Sequence, residues 1–448
     1  MKPKRPPLID ETECLELLNT SRKEYDLKVQ ELLAKDVYYS YCDLTVRSGK
    51  LKTTALWYLF KQIREYQFKT VCEFSDEPTL ARFIITDKIH QTISEIDKYT
   101  TNAALDEMTR QIGEERYFKF LINDLIKDES ISSSQLEGAA TTTIVARDML
   151  QQKRKPRTMD ERMIVGNFKM MEYVWENKNE ELSLAFIKKV HRIGVSDIDN
   201  TTYTPGKFRG NDNVVVQSHD GEVIHKPPLA ENLELRIEKI IEWVNSSQKY
   251  THPLIKAIIL HFMIGFEHPF KDGNGRVARA LFYWYMFKNG YPSFRFINIS
   301  KLLKEAPSQY VRAYLKTEYD NLDLTYFIEY QCGIISRALS NFIEEYKQAL
   351  KEMNDFESWM YNSGLLSKLK PNEKTILVVA QRGMAGKFTI QDTADSLGCS
   401  YGTAASSLNK LVEMDLFVKR KIGKQLIYDM KSIKNIIKMD TSKLDAWK

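Results

Sequence analysis

The segment Pro253-Leu254-Ile255-Lys256-Ala257-Ile258-Ile259-Leu260-His261-Phe262-Met263-Ile264-Gly265-Phe266 is apolar nearly all round, and it runs straight into a loop dense with charge. A helix without a polar face has to be buried, so this segment predicts the centre of a mainly α-helical core. The loop reads His268-Pro269-Phe270-Lys271-Asp272-Gly273-Asn274-Gly275-Arg276-Val277-Ala278-Arg279. From Arg276 to Lys288 there is no Gly or Pro, and Asn289-Gly290 supplies a stop signal. A second helix therefore opens inside the loop.

The loop's residue types suit a polyphosphate. Gly273-Asn274-Gly275 is a turn sequence in which positive φ is cheap. Its successive N–H groups can form an anion nest at the positive end of the following helix. Arg276 and Arg279 are three residues apart and share a helix face, and guanidinium forks match phosphate oxygens. Asp272 beside phosphates makes sense with a hard cation between them, and Mg²⁺ is held this way. His268 has the side chain best suited to act as a base near neutral pH. Read without a ligand, the same run is a helix–loop–helix corner with solvated charges and one capped helix.

These positions resemble the signature of the Fic family, HxFx(D/E)GNGRxxR, at His268, Phe270, Asp272, Gly273, Asn274, Gly275, Arg276 and Arg279. The resemblance implies a protein adenylyltransferase that moves AMP from ATP to a Ser, Thr or Tyr hydroxyl and releases pyrophosphate. It implies that His268 is the catalytic base and that Asp272 binds Mg²⁺ or Mn²⁺. It assigns Asn274 and the amides of Gly273 and Gly275 to the α-phosphate, and Arg276 and Arg279 to the β- and γ-phosphates. Phe270 anchors the loop in the core. The intact GNGR argues against relatives with altered loops, such as the Doc-type kinases.

Three further segments extend the likeness. Ser132-Ser133-Ser134-Gln135-Leu136-Glu137-Gly138 is similar to the family's inhibitory motif, with Ser133, Glu137 and Gly138 at its fixed positions. Ser133 and Glu137 are four apart on one helix face, where the carboxylate can pair with Arg279 and take that guanidinium from ATP. Pro205-Gly206-Lys207-Phe208-Arg209, followed by Val214-Val215-Val216 and a turn at Asp220-Gly221, resembles the family's flap. The flap is expected to dock a target segment by β-augmentation at Val214, Val215 and Val216. Tyr310 falls where relatives line the adenine pocket.

Composition bounds the rest. Of 448 residues, 43% are hydrophobic and 28% charged, the profile of an ordinary soluble globular chain. No 18-residue apolar run predicts a membrane span, and the basic start Met1-Lys2-Pro3-Lys4-Arg5 lacks the apolar core of a signal peptide. Cys14, Cys42, Cys72, Cys332 and Cys399 show neither zinc nor disulfide spacing, so a cytoplasmic setting is expected. The segmentation expected is a helical N-terminal region over 1–110, a catalytic domain over 111–350 and a winged-helix-like domain over 365–448. Within the catalytic domain the inhibitory helix falls at about 128–140 and the flap at about 205–228.

The C-terminal segment 371–448 holds 13 Lys/Arg against 8 Asp/Glu, so it carries the whole net charge of +5. Its pattern predicts helices over 372–381, 389–398 and 400–414, then a hairpin with Lys419, Arg420, Lys421 and Lys424. That order resembles a winged helix-turn-helix, a module that binds DNA or protein. Expected partners are thus ATP, a protein target, the chain itself through self-AMPylation or a homodimer, and DNA through the hairpin; no membrane is expected. Two other readings stay open: removal of AMP at the same site with Glu137 positioning a water, and a DNA-binding regulator whose nucleotide site senses ATP.

Overall fold

A computed structural model of the chain describes residues 2–73, 80–112, 126–198, 203–217, 221–381, 387–422 and 425–438. It is mainly α-helical and divides into two compact units. One comprises Met1–Asn102 with Leu125–Leu339, and the other Ala103–Asp124 with Ser340–Lys448. This division differs from the segmentation read in the sequence, because the first hundred residues belong to the same body as the loop.

Caps and periodicity set the helix limits. Asp10 opens Glu11–Leu33 by accepting the Glu13 N–H, and the helix buries Cys14, Leu18, Tyr25, Val29 and Leu32 against Trp57 and Phe60 of Thr53–Glu65. The N-terminal region is not helical throughout. Lys69–Glu73 pairs antiparallel with Leu80–Phe83, an alternation too short to stand out among mixed charges. Buried polar bonds tie these residues to the rest of their unit. Arg64 Nη1 donates to the Tyr326 hydroxyl at 3.2 Å, and Lys61 Nζ to Asp320 at 2.8 Å.

The centre of this unit is a helical hairpin, Pro253–Glu267 and Asn274–Lys288, both buried along nearly their whole length. Pro253 at the first helical position and His252 at the N-cap, whose Nδ1 accepts the Leu254 N–H, open the first helix. Met159–Glu176, Leu184–Val195 and Ile126–Leu136 pack around the second. The hairpin's loop therefore emerges where several buried helices end, which lets them all contribute to one site.

In the other unit, Pro371–Gln381, Ile390–Leu397 and Tyr401–Glu413 precede the antiparallel pair Phe417–Ile422 and Gln425–Met430. Ser400 caps the third helix through the Thr403 N–H, and Gly398 ends the second at φ 61°. Leu377, Ile390, Leu408, Leu411, Phe417 and Tyr428 form their own core. Lys424 and the flap turn at Asp220 lie outside the described residues. Among the described residues no helix is long and apolar enough to cross a membrane.

Candidate active site

The loop begins with a left-handed residue. His268 caps the Pro253–Glu267 helix at φ 47°, ψ 57°, with its N–H donating to the Ile264 carbonyl at 3.1 Å. A non-glycine residue reaches this region only when neighbours hold it there. Its Nδ1–H donates to the Gly265 carbonyl at 3.3 Å, leaving Nε2 as the nitrogen with a lone pair. Burial holds its pKa down at about 4, so the imidazole is neutral near pH 7.

Buried contacts fix the middle of the loop. Phe270 is fully buried and stacks on the His191 ring, centroids 3.7 Å apart and planes 10° apart. The Gly206 N–H donates to His191 Nδ1 at 3.0 Å, so Nε2 carries the proton it gives to the Asp272 carbonyl, also at 3.0 Å. Burial pushes His191 down to about 4 and keeps it neutral, as both bonds require. The Asn274 side chain accepts from the Phe270 N–H and donates to the Phe270 carbonyl, each at 2.8 Å. The amide group thus closes the loop on itself, and its second N–H and the residue's backbone N–H take no part in these two bonds.

The phosphate end combines a glycine cradle with two buried arginines. Gly273 takes φ 84° and caps the Asn274–Lys288 helix. A methyl group at Gly275 would lie 2.2 Å from Glu137 Oε1. The Glu137 carboxylate therefore rests on the first turn of the helix, and only glycine leaves it room. Arg279 Nη2 donates to Glu137 Oε1 at 2.8 Å and to the Ser133 carbonyl at 3.1 Å, while its Nε reaches the Ser133 hydroxyl at 2.9 Å. Arg276 is held more loosely, by Gly194 O at 3.5 Å and the Tyr203 hydroxyl at 3.4 Å. Both arginines are buried, and among the described residues Arg276 Nε and Arg279 Nη1 have no hydrogen-bond partner. Buried donors of this kind are costly unless something accepts from them.

Ser133, Glu137 and Gly138 belong to one short stretch. Ile126–Leu136 buries Ser130, Ser132, Ser133 and Ser134, and the chain then turns through Gly138 at φ 98°. Glu129 anchors this helix, accepting the N–H and hydroxyl of Ser300 at the start of Ile299–Glu305. Burial raises the Glu129 pKa.

The flap strand Val216–Gln217 pairs antiparallel with Val223–His225. Val214 is half-buried and Val215 exposed. His225 Nε2 bonds the Phe266 carbonyl at 2.7 Å and Nδ1 pairs with Glu318 at 3.0 Å. Burial opposes its charge most, but Glu318, the Phe266 carbonyl and Glu267 together outweigh burial and raise its pKa. Tyr310 is half-buried and shares a 2.8 Å hydrogen bond with His261 Nε2. His261 is a satisfied core histidine, taken to about 3 by burial and next by the charge of Arg279. Tyr310 thus stands on the Arg279 side of the site, with its hydroxyl already engaged.

Asp272 is half-buried, its Oδ1 accepting the Gly273 N–H at 2.5 Å. Among the described residues no group of three or more His, Cys, Asp or Glu converges, so Asp272 suits a cation whose other ligands are phosphate oxygens and water. Three residues to which the sequence reading gave no role of their own in the site, His191, Arg209 and Glu129, carry much of the scaffolding. Their bonds to Asp272, His268 and Ser300 span 81, 59 and 171 residues of chain, where no local pattern reports them.

Residues 181–286, which span the flap and the loop, match the Fic/DOC family. The chain is 26% identical over 270 residues to a protein adenylyltransferase Fic of Culex quinquefasciatus, covering 59% of this chain and 47% of that protein. It is 28% identical over 217 residues to the protein of that name from Drosophila grimshawi, covering 47% of this chain and 40% of the other. The chain thus spans less than half the length of these relatives. A crystal structure of a Fic family protein from Desulfovibrio desulfuricans G20 superposes with a TM-score of 0.50 at 17% identity, over 78% of this chain and 97% of that one, which establishes a shared fold.

Proposed function

We propose that the chain transfers AMP from ATP to a hydroxyl of a protein target or of itself, and that Glu137 holds this activity down. The observation that carries the reading is a pair of buried guanidiniums with unpartnered donors, converging on a helix N-terminus where a carboxylate already rests. A carboxylate in an anion cradle marks the place a phosphate would take.

In the reaction, neutral His268 accepts the hydroxyl proton at Nε2. The oxygen attacks the α-phosphorus, the new O–P bond forms, and the bond to the bridging oxygen breaks with its electron pair leaving on pyrophosphate. Arg276, Arg279 and the nest amides hold the charge on the departing oxygens. A divalent cation, when held by Asp272 and phosphate oxygens, supplies further charge neutralisation there. The flap strand positions the target segment by pairing along its open edge at Val214, Val215 and Val216, and the Tyr310 ring lines the base pocket. With Glu137 bonded to Arg279, that guanidinium is drawn away from the γ-phosphate and ATP binds misaligned.

The test uses ATP labelled at the α-phosphate. Glu137→Gly should raise labelling of the chain roughly 5- to 150-fold, the size of a 1–3 kcal/mol coupling. Adding His268→Ala should then lower it by about 10²- to 10⁴-fold, the usual worth of a general base. Undiminished labelling without His268 removes the proposed base, and no gain without Glu137 removes the proposed brake.

DNA binding by the C-terminal unit is a second reading. It is favoured by the exposure of Lys419, Arg420 and Lys421 along one strand.

A further inference from the structure

The proton acceptor sits on a backbone that would not hold itself. His268 is left-handed without being glycine, and the helix that precedes it ends at Glu267. One buried side chain gathers them. Arg209 Nε donates to the His268 carbonyl at 3.1 Å, and Nη2 donates to the Glu267 carbonyl at 3.3 Å and to Pro228 O. Its own N–H donates to the Pro269 carbonyl at 2.8 Å. Three successive carbonyls, 267 to 269, are thus held by one residue that is 3% exposed.

The remaining bonds of Arg209 reach the flap. Nη1 donates to Asn211 O at 3.2 Å and to Asp212 Oδ1 at 3.3 Å, and Asp212 Oδ1 also accepts the Ala230 N–H at 2.7 Å. The fork therefore grips the backbone of the base on one side and both ends of the flap on the other. Only a planar group with five donors can do this, and a lysine ammonium at the same place cannot.

We infer that Arg209 is a positioning residue that fixes His268 and the flap as one rigid assembly, so that the docked hydroxyl and the accepting nitrogen keep their register. The inference rests on the reading of His268 as the base. It also separates two tasks within the site: Arg276, Arg279 and the glycine nest bind nucleotide, and Arg209 bonds instead to Glu267, His268, Pro269, Asn211, Asp212 and Pro228.

The experiment compares Arg209→Lys and Arg209→Ala with their parent, all carrying Glu137→Gly. At saturating ATP the transfer rate should fall roughly 100-fold in both, as a misplacement of about 1 Å can cause. The ATP dissociation constant should stay within about threefold of the parent, because the phosphate ligands are untouched. Guanidinium ion at low concentration should restore part of the rate to Arg209→Ala and none to Arg209→Lys. Histidine ¹⁵N NMR supplies a readout independent of turnover: the Nδ1-protonated signature of His268 should be lost in both variants. Transfer by Arg209→Lys within threefold of the parent overturns the inference, and so does loss of ATP binding in step with transfer. If the parent transfers no AMP, the functional reading fails. The NMR signature of His268 then still decides the clamp: its persistence in Arg209→Lys overturns the inference, and its loss supports it.

Discussion

The loop between Pro253–Glu267 and Asn274–Lys288 and the hairpin Phe417–Met430 both concentrate cations, and they treat them in opposite ways. In the loop, Arg276 and Arg279 are buried, and Nε of the first and Nη1 of the second have no acceptor among the described residues. In the hairpin, Arg420 is exposed and already engaged, donating through Nε and Nη2 to Asp429 across the strand pair at 3.0 and 2.6 Å. Lys419 bonds Asn409 Oδ1 at 3.0 Å and lies over the Tyr428 ring. Positive charge alone is thus a poor guide to a site. A desolvated guanidinium with an unmatched donor carries a cost in the folded chain unless a ligand answers it, whereas an exposed ion pair stabilises by only about 0–1 kcal/mol and needs no function to explain it.

The sharpest way to break this contrast is to remove one loop arginine. Arg276→Met keeps most of the buried volume and deletes a charge whose hydrogen bonds among the described residues are 3.4 and 3.5 Å long. Nucleotide affinity, measured by titration calorimetry in the Glu137→Gly background, should fall roughly 10- to 150-fold, the worth of one or two charge-assisted hydrogen bonds. Thermal stability without nucleotide should stay level or rise. A marked drop in melting temperature with ATP binding intact would make Arg276 a structural cation and erase the difference between loop and hairpin.

A smaller effect separates the two units by pH. All 7 histidines fall in the loop-bearing unit, none in Ala103–Asp124 or Ser340–Lys448. Burial lowers His191 to about 4, His261 to about 3 and His268 to about 4. For each, the unfolded chain binds the proton first, from about pH 6.5 downward. Stability is therefore complete above that value and is lost as pH falls toward 4, at up to about 1.4 kcal/mol per pH unit per group. His225, raised by Glu318, has the opposite sign: its contribution is full below about pH 6.5 and fades as pH rises through its folded value. Burial lowers His252 as well, and the four depressed groups outweigh His225. Limited proteolysis at pH 7 and pH 5 should show earlier cleavage within 126–339 at the lower pH and little change within 340–438. Equal loss in both units would show that buried histidines do not set the acid limit.

What could be read in advance follows the range of the interaction. Helix limits were legible because caps act within four residues: Asp10 on Glu13, Ser400 on Thr403, Gly398 in the left-handed conformation. The loop was legible because one strand of chain carries base, carboxylate, nest and guanidiniums together. The tasks of His191 and Arg209 were not, since the first meets Asp272 and the second His268 only after the chain has returned through the flap. Gly275 reads as a turn residue in sequence, yet its second duty, leaving room for Glu137, depends on a helix far upstream. The hairpin misleads for the same reason. Lys419, Arg420 and Lys421 look like an open basic tip until the register sets Val418 opposite Asp429 and Arg420 opposite Ile427, bringing the Asp429 carboxylate to the guanidinium.

That register makes the smallest effect the most exacting. Arg420→Ala removes an exposed partner of Asp429, so stability should change by no more than about 1 kcal/mol, and AMP transfer should not change at all. If the hairpin nevertheless meets nucleic acid, Lys419 and Arg420 would exchange their present partners for phosphates, and binding would weaken steeply with salt. A mobility shift with duplex DNA at rising salt tests this. Arg420→Ala should reduce the slope of log affinity against log salt by about one if Arg420 neutralises a phosphate, and Asp429→Asn, which frees Arg420 from its competitor, should strengthen binding. Without a shift at low salt, or with identical slopes in all three proteins, the hairpin's cations serve only their own strand pair, and the loop remains the site where positive charge awaits a ligand.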